Sequence, residues 1–249
     1  MSHTDSASPI NTIIIKIIVH TYLYKSHKKV MKTVFSLIMA VMLSTLNVMA
    51  QDCCKSIKSE GGKMLLLVDV QYDFINGSLA VNGAPKTMDA LAEYIEKQPS
   101  CAFDEIVMTA DFHPYNHSSF KDFGGIWPIH CVQYSHGASI YQPVFEAVKA
   151  KKHDAVVLTK GDNQAVDEYS IMANEASSKT LLKMIEDNNI KEIYVAGLCG
   201  DYCVGNSIKD LVKAGHGEKI RVLTPFIGNI DDGTVLRGII ADNNLKECK

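Results

Sequence analysis

The chain has 249 residues, 47% of them hydrophobic and 21% charged, which suits one sizeable globular domain. Its formal net charge is −3 and its basic residues form no long run, which excludes a nucleic-acid binder built on a cationic surface.

Residues 1–30 offer only a short apolar patch, 10–19, interrupted by Lys16, and are read as a mis-called extension ahead of the true start. Met31-Lys32-Thr33, preceded by Lys28 and Lys29, opens a mainly apolar run over 34–43, and Val48-Met49-Ala50 gives a small-x-small-like end before Gln51. That order predicts a secretory signal peptide over 31–50. The run is short for a membrane span, and an uncleaved anchor is the alternative. Cleavage after Ala50 takes five lysines and one aspartate from the net −3, so the body over 51–249 carries −7. Such a body is expected to be exported, to the periplasm or beyond, as an acidic soluble protein with no stable membrane partner; a misread N-terminus would make it cytoplasmic instead.

From residue 64 the chain alternates strand-length apolar runs with helical periodicity. Strands are predicted over 64–70, 106–109, 155–159, 193–196 and 220–223, and helices over 87–96, 179–188, 202–213 and 234–243. Apolar runs without regular alternation mark strands buried on both faces. The expected fold is therefore one three-layer α/β domain, a mainly parallel doubly wound sheet of Rossmann-like kind, with function outside the carboxyl ends of its strands.

Those ends carry chemistry. The first delivers Asp69-Val70-Gln71-Tyr72-Asp73-Phe74, a carboxylate in an apolar run that is either functional or a cap for the next loop. Asp111, His113 and His117 follow the second, with His130 shortly after; they form either a loop able to close on a divalent transition metal or a solvated His-rich loop. The third ends in Thr159-Lys160-Gly161, where the lysine either steadies a neighbouring anion or snorkels to solvent. Residues 196–205, Ala-Gly-Leu-Cys-Gly-Asp-Tyr-Cys-Val-Gly, turn from strand into helix. Asp201 is placed to cap that helix and Cys203 to sit in its first turn, where the helix end lowers a thiol pKa; a buried inert cysteine is the other reading.

Asp-Val-Gln-x-Asp-Phe, Asp-Phe-His-Pro-x-x-His, Trp-Pro-x-His-Cys, Thr-Lys-Gly and Gly-Leu-x-x-Asp-Tyr-Cys-Val, in this order over about 64–228, resemble the isochorismatase-like cysteine hydrolases. The Asp and His loop resembles the nicotinamidases (pyrazinamidases) among them. The resemblance implies hydrolysis of nicotinamide to nicotinate and ammonia through a cysteine thioester, feeding NAD salvage. It implies a triad of Asp69, Lys160 and Cys203, an oxyanion hole from the backbone N–H groups of Cys199 and Cys203, and a cis peptide before Cys199. One divalent metal, foremost Zn with Fe or Mn as alternatives, would be held by Asp111, His113 and His130, with His117 bound directly or through water. Phe74, Leu79, Trp127 and Tyr169 would line a pocket for a flat ring, and the chain may assemble as a homo-oligomer.

Two alternatives stay open. One is another hydrolase of the same superfamily acting on a different small amide or ether; the other is a non-catalytic exported protein that only holds a ring-containing ligand. Seven cysteines follow residue 50, an odd number, so at least one thiol is free or bonded to another molecule. Any pairing is expected to join Cys53 or Cys54 to Cys248 or Cys101. A bond between Cys199 and Cys203 would silence a Cys203 nucleophile, and a Cys-based metal site is a further reading of that pair.

Overall fold

A computed structural model of the chain describes residues 31–39, 41, 61–151 and 154–248. It divides into two units, Met1–Ser56 and Ile57–Lys249. Of the first, residues 31–39 and 41 are helical. The rest of the expected signal peptide, and residues 1–30, lie outside the described residues. Among the described residues no helix is long and apolar enough to cross a membrane.

The second unit is built on six parallel strands, β1 (Gly62–Val68), β2 (Glu105–Asp111), β3 (Val156–Lys160), β4 (Ile190–Gly197), β5 (Ile220–Ile227) and β6 (Lys246–Glu247), in the order β3-β2-β1-β4-β5-β6. Strand β1 shows why its run has no alternation. Leu65 and Leu67 pack on one face with Met88 and Leu91 of α2 (Ala84–Lys97) and Val144 of α3 (Gln142–Ala150). Met64, Leu66 and Val68 pack on the other with Leu181 of α4 (Glu175–Asp187), Ile208 of α5 (Cys203–Leu211) and Leu236 of α6 (Thr234–Asp242). Both faces are covered, which is the three-layer arrangement expected of a parallel sheet.

Three elements lie outside the sequence expectation: α3, the single turn α1 (Tyr72–Ile75) and β6. Helix α3 has a proline in its first turn, at position 143, where the N–H that proline lacks would have no helical partner. Helix α5 ends at Leu211, and a wider π turn, Val212–His216, carries the chain on from it.

The cysteines partly follow expectation. Cys101 is disulfide-bonded, whereas Cys131, Cys199, Cys203 and Cys248 are free thiols. Cys248 therefore drops out as a bonding partner, and Cys53 and Cys54 lie outside the described residues.

Because Leu66 is fully buried in the central strand, its truncation removes contacts on both the sheet and the α5 side. Leu66→Ala is expected to cost about 2–5 kcal/mol of folding stability, read from urea denaturation; a loss well under that range would place the core elsewhere.

Candidate active site

Strand order reverses at β1, whose neighbours are β2 and β4, and a crevice opens beyond the carboxyl ends at such a point. Four strand ends meet there. β1 is followed by Asp69, β2 ends on Asp111, β3 ends on Lys160, and β4 leads through residues 198–202 to Cys203 at the start of α5. Asp111 and Lys160 are register partners across β2 and β3.

Lys160 is the centre of the group. Its side chain is fully buried, so it does not snorkel, and its ammonium lies 2.9 Å from Asp69 Oδ2 and 3.6 Å from Cys203 Sγ while pairing with Asp111 Oδ1. Burial alone would lower the lysine's pKa, but Asp111 and Asp69 reverse this and hold it well above its ordinary value. Asp111 is held below the ordinary carboxylate value: burial opposes ionisation, and Lys160, His113 and His130 together outweigh it. A lowered acid stabilises the fold above the ordinary carboxylate range, and that share is lost as pH falls through the lowered value.

Asp69 behaves differently. Its Oδ1 accepts from Thr109 Oγ1 at 2.6 Å, while Oδ2, despite facing the ammonium, takes no well-aligned hydrogen bond. Burial, against the opposing pull of Lys160, raises its pKa. Carboxylate oxygens of Asp69 and Asp111 and the Cys203 sulfur all lie within 4.8 Å of one another. A lone pair is thus available near the thiol.

Two expectations about the helix start need correction. Asp201 does not cap α5; its carboxylate accepts from the N–H groups of Ile230 and Asp231, each at 3.0 Å, and so ties down the loop after β5. Tyr202 is the capping residue by position and gives no side-chain bond. Cys203 does start α5, but its thiol is not made more acidic overall. Burial pushes it well above its ordinary value, and Lys160 opposes this only in part. The Leu198–Cys199 peptide is cis, as the resemblance implies. Among the described residues neither the Cys199 nor the Cys203 N–H has an acceptor, which leaves two donors beside the sulfur.

Beside the thiol, Asp111 Oδ2 faces His113 Nε2 at 3.6 Å and His130 Nε2 at 3.9 Å, all three residues being buried. His113 Nδ1 donates to the Gly161 carbonyl and His130 Nδ1 to the Pro128 carbonyl, each at 2.8 Å. A carbonyl can only accept, so both Nδ1 atoms carry hydrogen and each ring turns its Nε2 toward Asp111, where the neutral form offers a lone pair. Burial opposes a charge on both rings, but Asp111 outweighs it at His113 and raises that pKa, whereas that of His130 is lowered. Two imidazoles and a carboxylate so oriented fit a divalent transition metal. His117 does not join them. Its Nε2 donates to the Val166 carbonyl at 3.0 Å, its Nδ1 lies 2.7 Å from Ser119 Oγ, and its ring stacks on His113 with centroids 4.2 Å apart. Both of its nitrogens are committed to other partners, and it packs behind His113.

The cleft over the sulfur is open to solvent on one side and is lined by all four expected residues, Phe74, Leu79, Trp127 and Tyr169. Trp127 Nε1 donates to the Tyr169 hydroxyl at 2.9 Å. Asp167, Glu168, Tyr202 and Ile230 also line it and were not anticipated, because nothing local marks a side chain as facing a cleft. Tyr202 adjoins the cysteine and packs edge-on to Trp127 at 5.0 Å, so its position after Asp201 was the available signal. Ile171, two residues after Tyr169, is buried in the core and does not line the cleft.

A thiol that shares one buried corner with a carboxylate and a cation, under a cleft walled by aromatic rings, is the arrangement of a hydrolase working through cysteine on a three-layer α/β fold. The isochorismatase domain family matches residues 63–222, and the chain belongs to that family, in its nicotinamidase/pyrazinamidase branch. It is 34% identical to the nicotinamidase of Escherichia coli (strain K12) over 180 residues, 65% of this chain and 81% of that one. Among solved structures it resembles the pyrazinamidase of Pyrococcus horikoshii in complex with zinc, at 30% identity and a TM-score of 0.63, over 76% of this chain and 99% of that one. It also resembles PnC1 from L. infantum in complex with nicotinate, at 28% identity and a TM-score of 0.66, over 76% and 93% of the two chains.

The shared ammonium gives a direct test. Lys160→Met leaves two buried carboxylates without their common partner and is expected to cost about 3–5 kcal/mol in chemical denaturation. Unchanged stability would show that the pairing is not what holds the strand ends together.

Proposed function

We propose that the protein hydrolyses nicotinamide to nicotinate and ammonia, with Cys203 as nucleophile, Asp69 as proton acceptor and donor, and Lys160 as the cation that holds both. The observation that carries this reading is the Asp69 carboxylate within reach of the Cys203 thiol, with one oxygen free of any aligned hydrogen bond.

Asp69 takes the thiol proton as Cys203 Sγ attacks the carboxamide carbon. The carbonyl oxygen becomes an oxyanion and accepts from the N–H groups of Cys199 and Cys203. Asp69 returns its proton to the amide nitrogen, the C–N bond breaks and ammonia leaves, with the acyl group held as a thioester on Cys203. Water then gives a proton to Asp69 and its oxygen adds to the thioester carbon. The C–S bond breaks, the sulfur recovers the proton, and nicotinate departs. Phe74, Leu79, Trp127, Tyr169 and Tyr202 hold the ring flat and keep water off it. Asp111, His113 and His130 would hold zinc, with Fe or Mn as alternatives; such an ion supplies a Lewis acid that orients the ring. Zinc is favoured by the two imidazoles and one carboxylate and by its presence in the P. horikoshii relative.

Ammonia release from nicotinamide by the reduced wild type, abolished in Cys203→Ala and suppressed by a chelator, is the expected result. No release from the metal-loaded wild type would overturn the reading in favour of another amide or ether. Because Asp69 must be ionised to take the proton and is raised above the ordinary carboxylate value, the acid limb of kcat/KM is expected above that value. A limb at or below it would remove Asp69 from the role.

The same reading places the protein outside the cytoplasm, on the signal-like residues 31–50 and on the disulfide at Cys101, since such bonds persist in oxidising compartments. N-terminal sequencing of the natural protein is expected to begin at Gln51, and a chain that keeps its first fifty residues would refute export by cleavage.

A further inference from the structure

Glu168 is a buried carboxylate on the loop between β3 and α4, 8% exposed, that borders the cleft but takes no part in the proton transfers of the hydrolysis. Among the described residues no lysine, arginine or histidine forms an ion pair with it. A buried charge without a counter-ion is costly to keep unless hydrogen bonds hold it for a purpose. Its partners show one. Glu168 Oε2 accepts from the Gly161 N–H at 2.7 Å and from Asn174 Nδ2 at 3.0 Å.

Gly161 is the turn that follows Lys160. Its φ of +67° lies in the left-handed region, and a Cβ placed there would come within 2.3 Å of His113 Cε1, so the imidazole packs directly on the glycine. The Gly161 carbonyl is also what His113 Nδ1 donates to. Any movement of this turn therefore changes both the tilt of the ring and the bond that aims its Nε2. On its other side Glu168 precedes Tyr169, whose hydroxyl accepts from Trp127. Asn174 completes the link: its amide nitrogen also donates to Asp162 Oδ1 at 2.9 Å, and its oxygen caps α4 by accepting from Ser177 N at 3.1 Å.

Resting on the reading of Asp111, His113 and His130 as a metal site, we infer that Glu168 is a positioning residue that locks the Gly161 turn and so aims His113 at the metal, while fixing Tyr169 against the ring. The path is Glu168 to Gly161 N–H, across the turn to the Gly161 carbonyl, and on to His113 Nδ1. It requires an acceptor oxygen at the reach of a glutamate. The negative charge is not itself the requirement.

Zinc affinity of the full chain, measured by competition with a chromogenic chelator and set beside the melting temperature of the metal-free protein, tests this without relying on turnover. Glu168→Ala is expected to weaken zinc binding by about 10–100-fold, the range seen when a ligand's supporting partner is lost. Glu168→Asp keeps the charge but falls one methylene short, and is expected to lose affinity likewise; it also decides the matter if the alanine variant does not fold. Glu168→Gln keeps an oxygen at the same reach and is expected to bind zinc close to wild type. Equal zinc affinity in wild type, Glu168→Ala and Glu168→Asp overturns the inference, whatever their melting temperatures, and so does a glutamine variant as weak as the alanine one. A wild type that takes up no zinc at all sinks the metal site itself, and this inference with it, before any variant is compared.

Discussion

Everything at the carboxyl edge of the sheet depends on one buried ammonium. Lys160 stands between Asp69 and Asp111 and touches the Cys203 sulfur, so three strand ends and a helix start share a single positive charge. Without it, two carboxylates would sit close together in a medium that screens them poorly, and neither β1 nor β2 could end where it does. With it, two carboxylates share one ammonium. Asp111 Oδ2 is left facing the Nε2 atoms of two imidazoles. A divalent cation suits such a corner, because two imidazoles and a carboxylate are donors it accepts.

The fold makes this sharing possible by stacking like ends of strands. In a parallel sheet every strand finishes on the same edge, and at β1 the connections run off to opposite sides, leaving a gap above Asp69 that no crossover fills. Neighbouring strands are held in fixed register, so Asp111 and Lys160 are paired by the same ladder that pairs Thr109 with Leu158. Thr109 in turn donates to Asp69 across 40 residues of sequence. The rigid strands set the charged side chains, while the loops beyond them supply the adaptable parts: the histidines, the aromatic wall and the two free N–H groups.

That division explains what was legible in the sequence. The strands were readable because burial on both faces leaves unbroken apolar runs, and an Asp, a Lys or a Cys at the end of such a run stands out against them. Phe74, Leu79, Trp127 and Tyr169 came only through the resemblance, since aromatic and aliphatic residues in loops look the same whether they face a cleft or a core. His117 shows the limit most clearly. Its spacing from His113 suits a ligand, but which way an imidazole turns is decided by Val166 and Ser119, and the first of these is remote in sequence. Asp201 likewise had the right place for a helix cap and was drawn instead to the loop at Ile230, whose neighbourhood to it arises only when β5 lies beside β4. Helix α3 was missed because its nine residues give a short periodic signal opened by a proline.

The raised pKa of Cys203 is consistent with nucleophilic chemistry once the base is considered with it. Burial pushes both Cys203 and Asp69 upward, and Lys160 pulls both down. Proton transfer between them depends on the difference between their proton affinities, so a rise at the acceptor works against the rise at the thiol. What remains is a short path from the sulfur to an oxygen whose lone pair is not already engaged. The thiol need not ionise in advance of substrate; it needs only to be close to an acceptor when the carboxamide arrives. A resting thiol reacts with oxidants far more slowly than a thiolate. Cys199 is also buried and its pKa is also raised, so burial disfavours the reactive thiolate at both sulfurs of this turn.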